Sequence, residues 1–282
     1  MRRLFLLLAL LALCQPLRSQ KLLERSELGL TFGGMNYIGD LNNQSMFGTP
    51  DLAAGLIARL NFDTRWALSI GASYGHVQGG APDYIKLRNL SFRSYVAEAY
   101  VRAEFNFFPY GIRSAAYKRS TPYIFCGFGA FRFNPMALYT DPSSGLSQWY
   151  ALQPLGTEGQ GSRAYPDRVK YQLVQMTMPF GIGWRWRLAP NAHLTAEYGW
   201  RKTWTDYLDD VSTTYVGADL LGGSLAATLA DRSAEVVPGY VNAPGIKRGD
   251  DSLDDWYAYF NVSLTFSTEM LFGWMRGKTC EK

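Results

Sequence analysis

Histidine, cysteine and long apolar runs are scarce in this sequence of 282 residues, and each scarcity closes off a class of function. The two histidines, His76 and His193, stand alone, so no Cys/His spacing suited to a metal ion exists and no cofactor is expected. Of the three cysteines, Cys14 sits in the leader described below, Cys126 in a strand-like run and Cys280 near the end. One pair so far apart makes no disulfide scaffold, and two unpaired thiols are expected. Beyond the leader no segment reaches the roughly 18 consecutive apolar residues that read as a membrane-spanning helix. No basic block is long enough to track phosphates, so nucleic acid is not expected as a partner.

Residues 1–19 read as a secretory signal. Arg2 and Arg3 form its positive end, and Leu4 to Leu13 form an apolar run too short to cross a bilayer as a helix. Ser19 is small enough to precede a cleavage point, although Leu17 is bulkier than the usual pattern. Leu13 stands where a small residue is wanted before Cys14, so lipid attachment is not expected. Loss of this segment removes Arg2, Arg3 and Arg18 and no acid, which lowers the net charge from +4 to +1.

What the chain does have is 28 glycines and 15% aromatic residues, arranged in runs that alternate with period two. Trp66, Leu68, Ile70, Ala72 and Tyr74 share one face of such a run, while Ala67, Ser69, Gly71, Ser73 and Gly75 share the other. Near the end, Trp256, Ala258, Phe260, Val262, Leu264 and Phe266 alternate with Tyr257, Tyr259, Asn261, Ser263 and Thr265. The opposite faces of the other runs carry charge: Glu27, Arg59, Glu98, Arg102, Glu104, Arg185, Glu197 and Arg201, with Arg132 from an apolar run near 121–134 whose register is less well defined. A soluble sheet would turn its apolar face to a core, whereas a membrane barrel turns it to lipid and keeps a polar interior. Charges of both signs converging on one interior select the barrel. They also predict a plug, because eight strands enclose a lumen that side chains just fill and unpaired buried ions cost several kcal/mol each.

The connections alternate in length. Residues 63–65, 109–120 and 189–191 are short, whereas 38–50, 78–91, 135–170 and 205–254 are long. In this class short turns face the periplasm and long loops the exterior, which places both termini in the periplasm. The expected fold is therefore an all-β, eight-stranded antiparallel transmembrane outer-membrane barrel over residues 20–267, with long extracellular loops and a periplasmic tail at 268–282. Its expected partner is outer-membrane lipid, with aromatics gathered at the strand ends.

Candidate chemistry is thin. His76 and Ser73 lie three apart on a strand and point to opposite faces, and His193 begins a strand at the turn end, so no base is positioned on a nucleophile and no enzyme or small-molecule substrate is expected. The acids of 206–210 and 250–255 could gather calcium, but their spacing is not that of the twelve-residue loop. A solvated loop base pairing with Arg201, Lys202, Lys247 or Arg248 is expected instead. The glycine- and serine-containing stretch 135–170 reads as a mobile loop. In the tail, Met270, Leu271, Trp274 and Met275 share one helical face, which suits either a foot on the membrane surface or a docking peptide. The turn beside it carries Arg113, Lys118 and Arg119.

Three tracts point to a family. They are Asn36-Tyr37-Ile38-Gly39-Asp40-Leu41, the acidic run Asp206-Tyr207-Leu208-Asp209-Asp210-Val211-Ser212-Thr213-Thr214-Tyr215, and Asp254-Asp255-Trp256-Tyr257. They resemble the corresponding segments of PorG-like outer-membrane barrels, components of the type IX secretion machinery of Bacteroidota-type bacteria. The resemblance implies a non-enzymatic anchor for a periplasmic ring of PorK-like lipoprotein and PorN-like protein. The tail is longer than expected for a barrel that closes on its last strand. A passive structural or adhesive barrel, and an outer-membrane lipid-modifying enzyme, are the alternatives.

Overall fold

A computed structural model describes residues 25–42, 50–80, 88–110 and 118–272. Residues 1–19, expected as a signal, and Arg113, Trp274, Met275 and Cys280 lie outside the described residues.

The strands are β1 (Ser26–Ile38), β2 (Asp51–Asn61), β3 (Trp66–Gly80), β4 (Ser91–Asn106), β5 (Ser120–Phe133), β6 (Met136–Thr140), β7 (Ser147–Ala151), β8 (Val174–Ala189), β9 (Ala192–Thr203) and β10 (Trp256–Ser267). Eight of them close a ring. Each of β1 to β4 pairs antiparallel with the next, β5 pairs with β8, β8 with β9 and β9 with β10, and β10 returns to β1. Closure leaves the ring without a free edge, the condition a sheet must meet in lipid. The hairpin of β6 and β7 lies outside it and continues the wall beyond β4 through Arg93 opposite Met136. Residues 135–170, expected as a mobile loop, thus contain a paired hairpin; its five registered pairs give the backbone groups partners that composition alone does not reveal.

Alternation decides the two faces. Leu30, Phe32, Leu56, Trp66, Ile70, Val101, Ile182, Trp184, Phe260 and Val262 stand exposed on the outside, while Glu27, Arg59, Glu98, Arg102, Glu104, Arg185, Glu197 and Arg201 are buried inside. An apolar exterior around a charged interior is the arrangement of an outer-membrane barrel. Arg132 is a correction. It is exposed on the outer face, because β5 turns Tyr123, Phe125, Phe131 and Phe133 inward. A strand apolar on both faces gives no phase for its one charge. Cys126 shares that outer face and is a free thiol.

The two ends of the barrel differ. Short turns and both ends of the described chain lie at one; the long segments gather at the other and form a cap, with a short helix α1 (Ser224–Ala230) in the longest of them. The cap is packed onto the wall: Met35, Tyr37, Phe92, Phe131, Phe133 and Tyr257 of the barrel form one buried cluster with Leu152, Tyr171, Leu208 and Leu229 of the cap. At the turn end a helical turn, α2 (Thr268–Phe272), follows β10 directly.

Candidate functional site

Two features dominate the interior, an ion network toward the turn end and a latch toward the cap.

In the network the side chains of four arginines and four glutamates are buried almost completely, so the lumen is balanced in charge. Glu104 is its hub. Its Oε2 accepts from Arg59 Nε at 2.8 Å and Arg185 Nη2 at 2.5 Å, and its Oε1 accepts from Ser69 at 2.6 Å and Arg102 at 3.2 Å. Arg102 also grips both oxygens of Glu197, at 2.5 and 2.9 Å, the two-pronged geometry that a planar guanidinium supplies. Glu27 takes Arg59 at 3.0 Å and Thr265 at 2.7 Å, and Arg201 stands 3.4 Å from Glu98. Aromatic rings complete the packing: Phe125 lies 4.1 Å from the Arg102 guanidinium and Tyr123 4.8 Å from that of Arg185. Tyr123 also donates to Glu197. These rings are the contribution of β5 that the period-two reading missed. Gly183 leaves the space that the Tyr123 ring fills.

The latch is where the three sequence tracts meet. Tyr37, at the cap end of β1, points its phenol oxygen at Asp209 Oδ2, 2.6 Å away, and at Asp255 Oδ1, 2.9 Å away. Asp255 Oδ2 accepts the Leu208 amide at 2.9 Å, and Asp209 Oδ1 accepts the Val211 amide at 2.8 Å. Gly39 is glycine because a Cβ there would collide with both the Asp255 carboxylate and the Tyr37 phenol. Asp40 reaches across to accept the Asp250 amide at 2.7 Å. Segments separated by up to 218 residues in the chain are thereby fixed within one contact sphere.

Asp210 does a different job. Its backbone is left-handed, φ 69°, a conformation that aspartate and asparagine tolerate better than most residues. That turn sends its carboxylate away from Asp209, to Thr157 at 2.5 Å and Tyr171 at 2.7 Å. Tyr171 stacks on Tyr207 with ring centroids 4.7 Å apart. Leu208, Val211 and Tyr215 are buried, and Ser212 and Thr213 give their amides to Glu158, each at 2.9 Å. Arg248 closes this layer: its Nη1 meets Glu158 at 3.0 Å and the Asp210 carbonyl, and its Nε the Ala230 carbonyl at 3.1 Å.

The expectation of a solvated acidic loop base is therefore overturned for Asp209, Asp210 and Asp255, all 1% exposed or less. Arg201 faces Glu98 rather than these acids. Lys202 does pair outside, with Asp254 at 2.6 Å, and Lys247 with Asp250 and Asp251. Burial pushes the carboxyls of Asp206 and Asp209 up to about 8. Asp255 is raised well above its usual value by burial and by Asp209 beside it. Asp210 rises only to about 6, because Arg248 opposes the effect of burial.

The remaining candidates are scattered. His76 is half-buried on the outer face, while Ser73 points inward and donates to Glu98 at 3.2 Å. His193 is buried at the turn end with its Nδ1 2.5 Å from the Tyr110 hydroxyl. Lys118, Arg119, Met270 and Leu271 are exposed at the turn end. Arg248, expected as a partner of the acidic tract, does stand 3.6 Å from the Asp210 carboxylate. Glu158, Thr157 and Tyr171, which hold the cap through Arg248 and Asp210, carried no sequence signal, since their partners lie dozens of residues away without a repeating pattern.

The family described as "Domain of unknown function (DUF6089)" matches residues 2–150, more than half of the chain. The chain belongs to this DUF6089 family. The matched DUF6089 region runs from residue 2 into β7 and contains the first tract, while the acidic run and the third tract lie beyond it. No curated protein matches the sequence. Among solved structures, the chain is similar to Neisserial surface protein A, NspA, at 9% identity, with 86% of this chain and 96% of that one covered and a TM-score of 0.38. It is similar to the attachment invasion locus protein Ail of Yersinia pestis at 11% identity, with 86% and 96% covered and a TM-score of 0.38. The outer membrane protein OprG of Pseudomonas aeruginosa gives 11% identity, 86% and 97% covered, and a TM-score of 0.39.

Proposed function

We propose that this barrel is a PorG-like anchor of the type IX protein secretion machinery, set in the outer membrane with its cap outside and both termini in the periplasm. The observation that carries the reading is the convergence of the three resembling tracts on one latch, through Tyr37, Asp209 and Asp255. The likeness thus belongs to one built feature of the fold and not to three scattered matches. A lumen filled by paired charges suits a component that holds other proteins and passes nothing through itself.

On this reading the turn end meets the periplasmic ring of PorK-like and PorN-like proteins. Lys118 and Arg119 supply charge beside the exposed Met270 and Leu271. Deleting residues 270–282 should leave a folded, heat-modifiable barrel that no longer co-purifies with the ring lipoprotein, and cargo secretion should fall. Full recovery of the ring with normal secretion would reject this contact. The adhesive alternative is favoured by the β6–β7 hairpin, which exposes Leu138, Leu146 and Trp149 beyond the barrel wall. Loss of cargo secretion on deletion of the whole gene product separates the two.

A further inference from the structure

The latch contains fewer hydrogens than its geometry demands. A phenol carries a single proton, yet the Tyr37 oxygen lies within hydrogen-bonding distance of two carboxylate oxygens, Asp209 Oδ2 and Asp255 Oδ1. If both acids were ionised, one would face the phenol oxygen lone pair to lone pair in a buried site, with no cation in contact with it among the described residues. Among the described residues neither acid takes part in an ion pair: Asp209 is held otherwise by the Val211 amide and Asp255 by the Leu208 amide. The contact closes with one extra proton, carried by one of the two acids and donated to the phenol oxygen while the phenol donates to the other.

We propose that this shared proton on the Asp209–Tyr37–Asp255 bridge is a pH-sensitive fastener of the cap, which holds residues 205–254 onto the barrel rim when present and releases them when lost. The bridge joins the wall, through Tyr37, to both ends of the longest cap segment. It is thus placed at the interface that opening must break.

The surroundings favour the proton. Asp40 from the β1–β2 connection faces Asp209 with further negative charge, and Asp206 from the acidic run, itself pushed up to about 8, adds to the raising of Asp255 when it is ionised. Arg248 is the cation that opposes them at Asp209, but its guanidinium is engaged by Glu158, Asp210 and Ala230. Arg88 lies behind Asp40, 3.3 Å from its carbonyl and bonded to the Arg248 carbonyl. Glu158 faces Asp206 from the β7–β8 connection. An acid with a higher pKa in the closed cap than in the open one binds its proton more tightly when closed. The closed cap is therefore favoured fully below the ordinary value of 3.8 and loses that advantage as pH climbs through about 8.

The test is protection of residues 206–215 from hydrogen exchange in the full-length folded barrel, corrected for the base-catalysed chemical rate, between pH 5 and pH 9. One linked proton should make the protection factor fall with pH by up to about tenfold per unit as the titration proceeds. Asp209→Asn should remove one proton's worth of that slope, because the amide carbonyl can accept the Val211 N–H while its NH2 donates to Tyr37 at every pH, whereas Asp206 still titrates. Heat-modifiable mobility verifies that the variant barrel is folded, and Asp255→Asn, which can make the equivalent pair of bonds, serves as the second variant. A flat profile in the unmodified protein, or a slope undiminished in both variants, would overturn the proposal.

Discussion

Every buried glutamate of the lumen has arginine within ion-pair distance, Glu104 three of them, whereas Asp209 and Asp255 of the cap are held by a phenol and backbone amides alone. Both regions keep carboxylates out of water, but they meet the desolvation cost differently. In the lumen each charge is kept and balanced, so removing one partner strands another. At the latch the charge itself is suppressed, and the energetic reference is a proton available from the medium. A network of fixed ions is insensitive to its surroundings; a bridge made with a proton is not.

The same chemical change should therefore have unequal consequences in the two places. Glu104→Gln leaves Arg59, Arg102 and Arg185 facing an amide, and we expect a loss of about 3 to 5 kcal/mol in urea-dependent unfolding from lipid vesicles. Arg248→Met lies between the extremes, since it removes a buried cation from Glu158 and Asp210 while touching no strand of the barrel. The cap should weaken by about 2 to 3 kcal/mol, read as faster proteolysis within residues 205–254 with the barrel core intact. Asp209→Asn, although it too removes a buried carboxylate, should leave the cap about as stable at pH 6 as the unmodified protein, when measured by the same proteolysis. A loss as large as that of Glu104→Gln would erase the distinction between the regions. Arg132→Ala should change neither measurement, because its side chain lies outside both networks.

Sequence alone displayed the lumen far better than the cap. Period two forces residues such as Glu98, Arg102 and Glu104 onto one face, and a closed ring makes that face the interior, so the ion network is legible from alternation. β5 breaks this logic, because Tyr123 and Phe125 inside are as apolar as Ile124 and Phe128 outside, and Arg132 is misplaced as a result. The cap has no period to read. Glu158 and Arg248 lie 90 residues apart on two different cap segments, and although the charge of Arg248 suggested an acidic partner, nothing local marks Glu158 as that partner. The three tracts were visible as a pattern, yet the need for Gly39 and the contact of Tyr37 with two aspartates emerge only when the strands bring them together.

Whether the balanced lumen closes the barrel is decided most directly by recording from the purified protein in a planar bilayer. The paired arginines and glutamates predict no stable unitary current across the range from pH 5 to pH 9, even where the cap loosens, because the ions of the plug lie below the latch and keep their partners. A large, steady conductance from the unmodified protein would contradict a filled lumen and with it the reading of this barrel as an anchor.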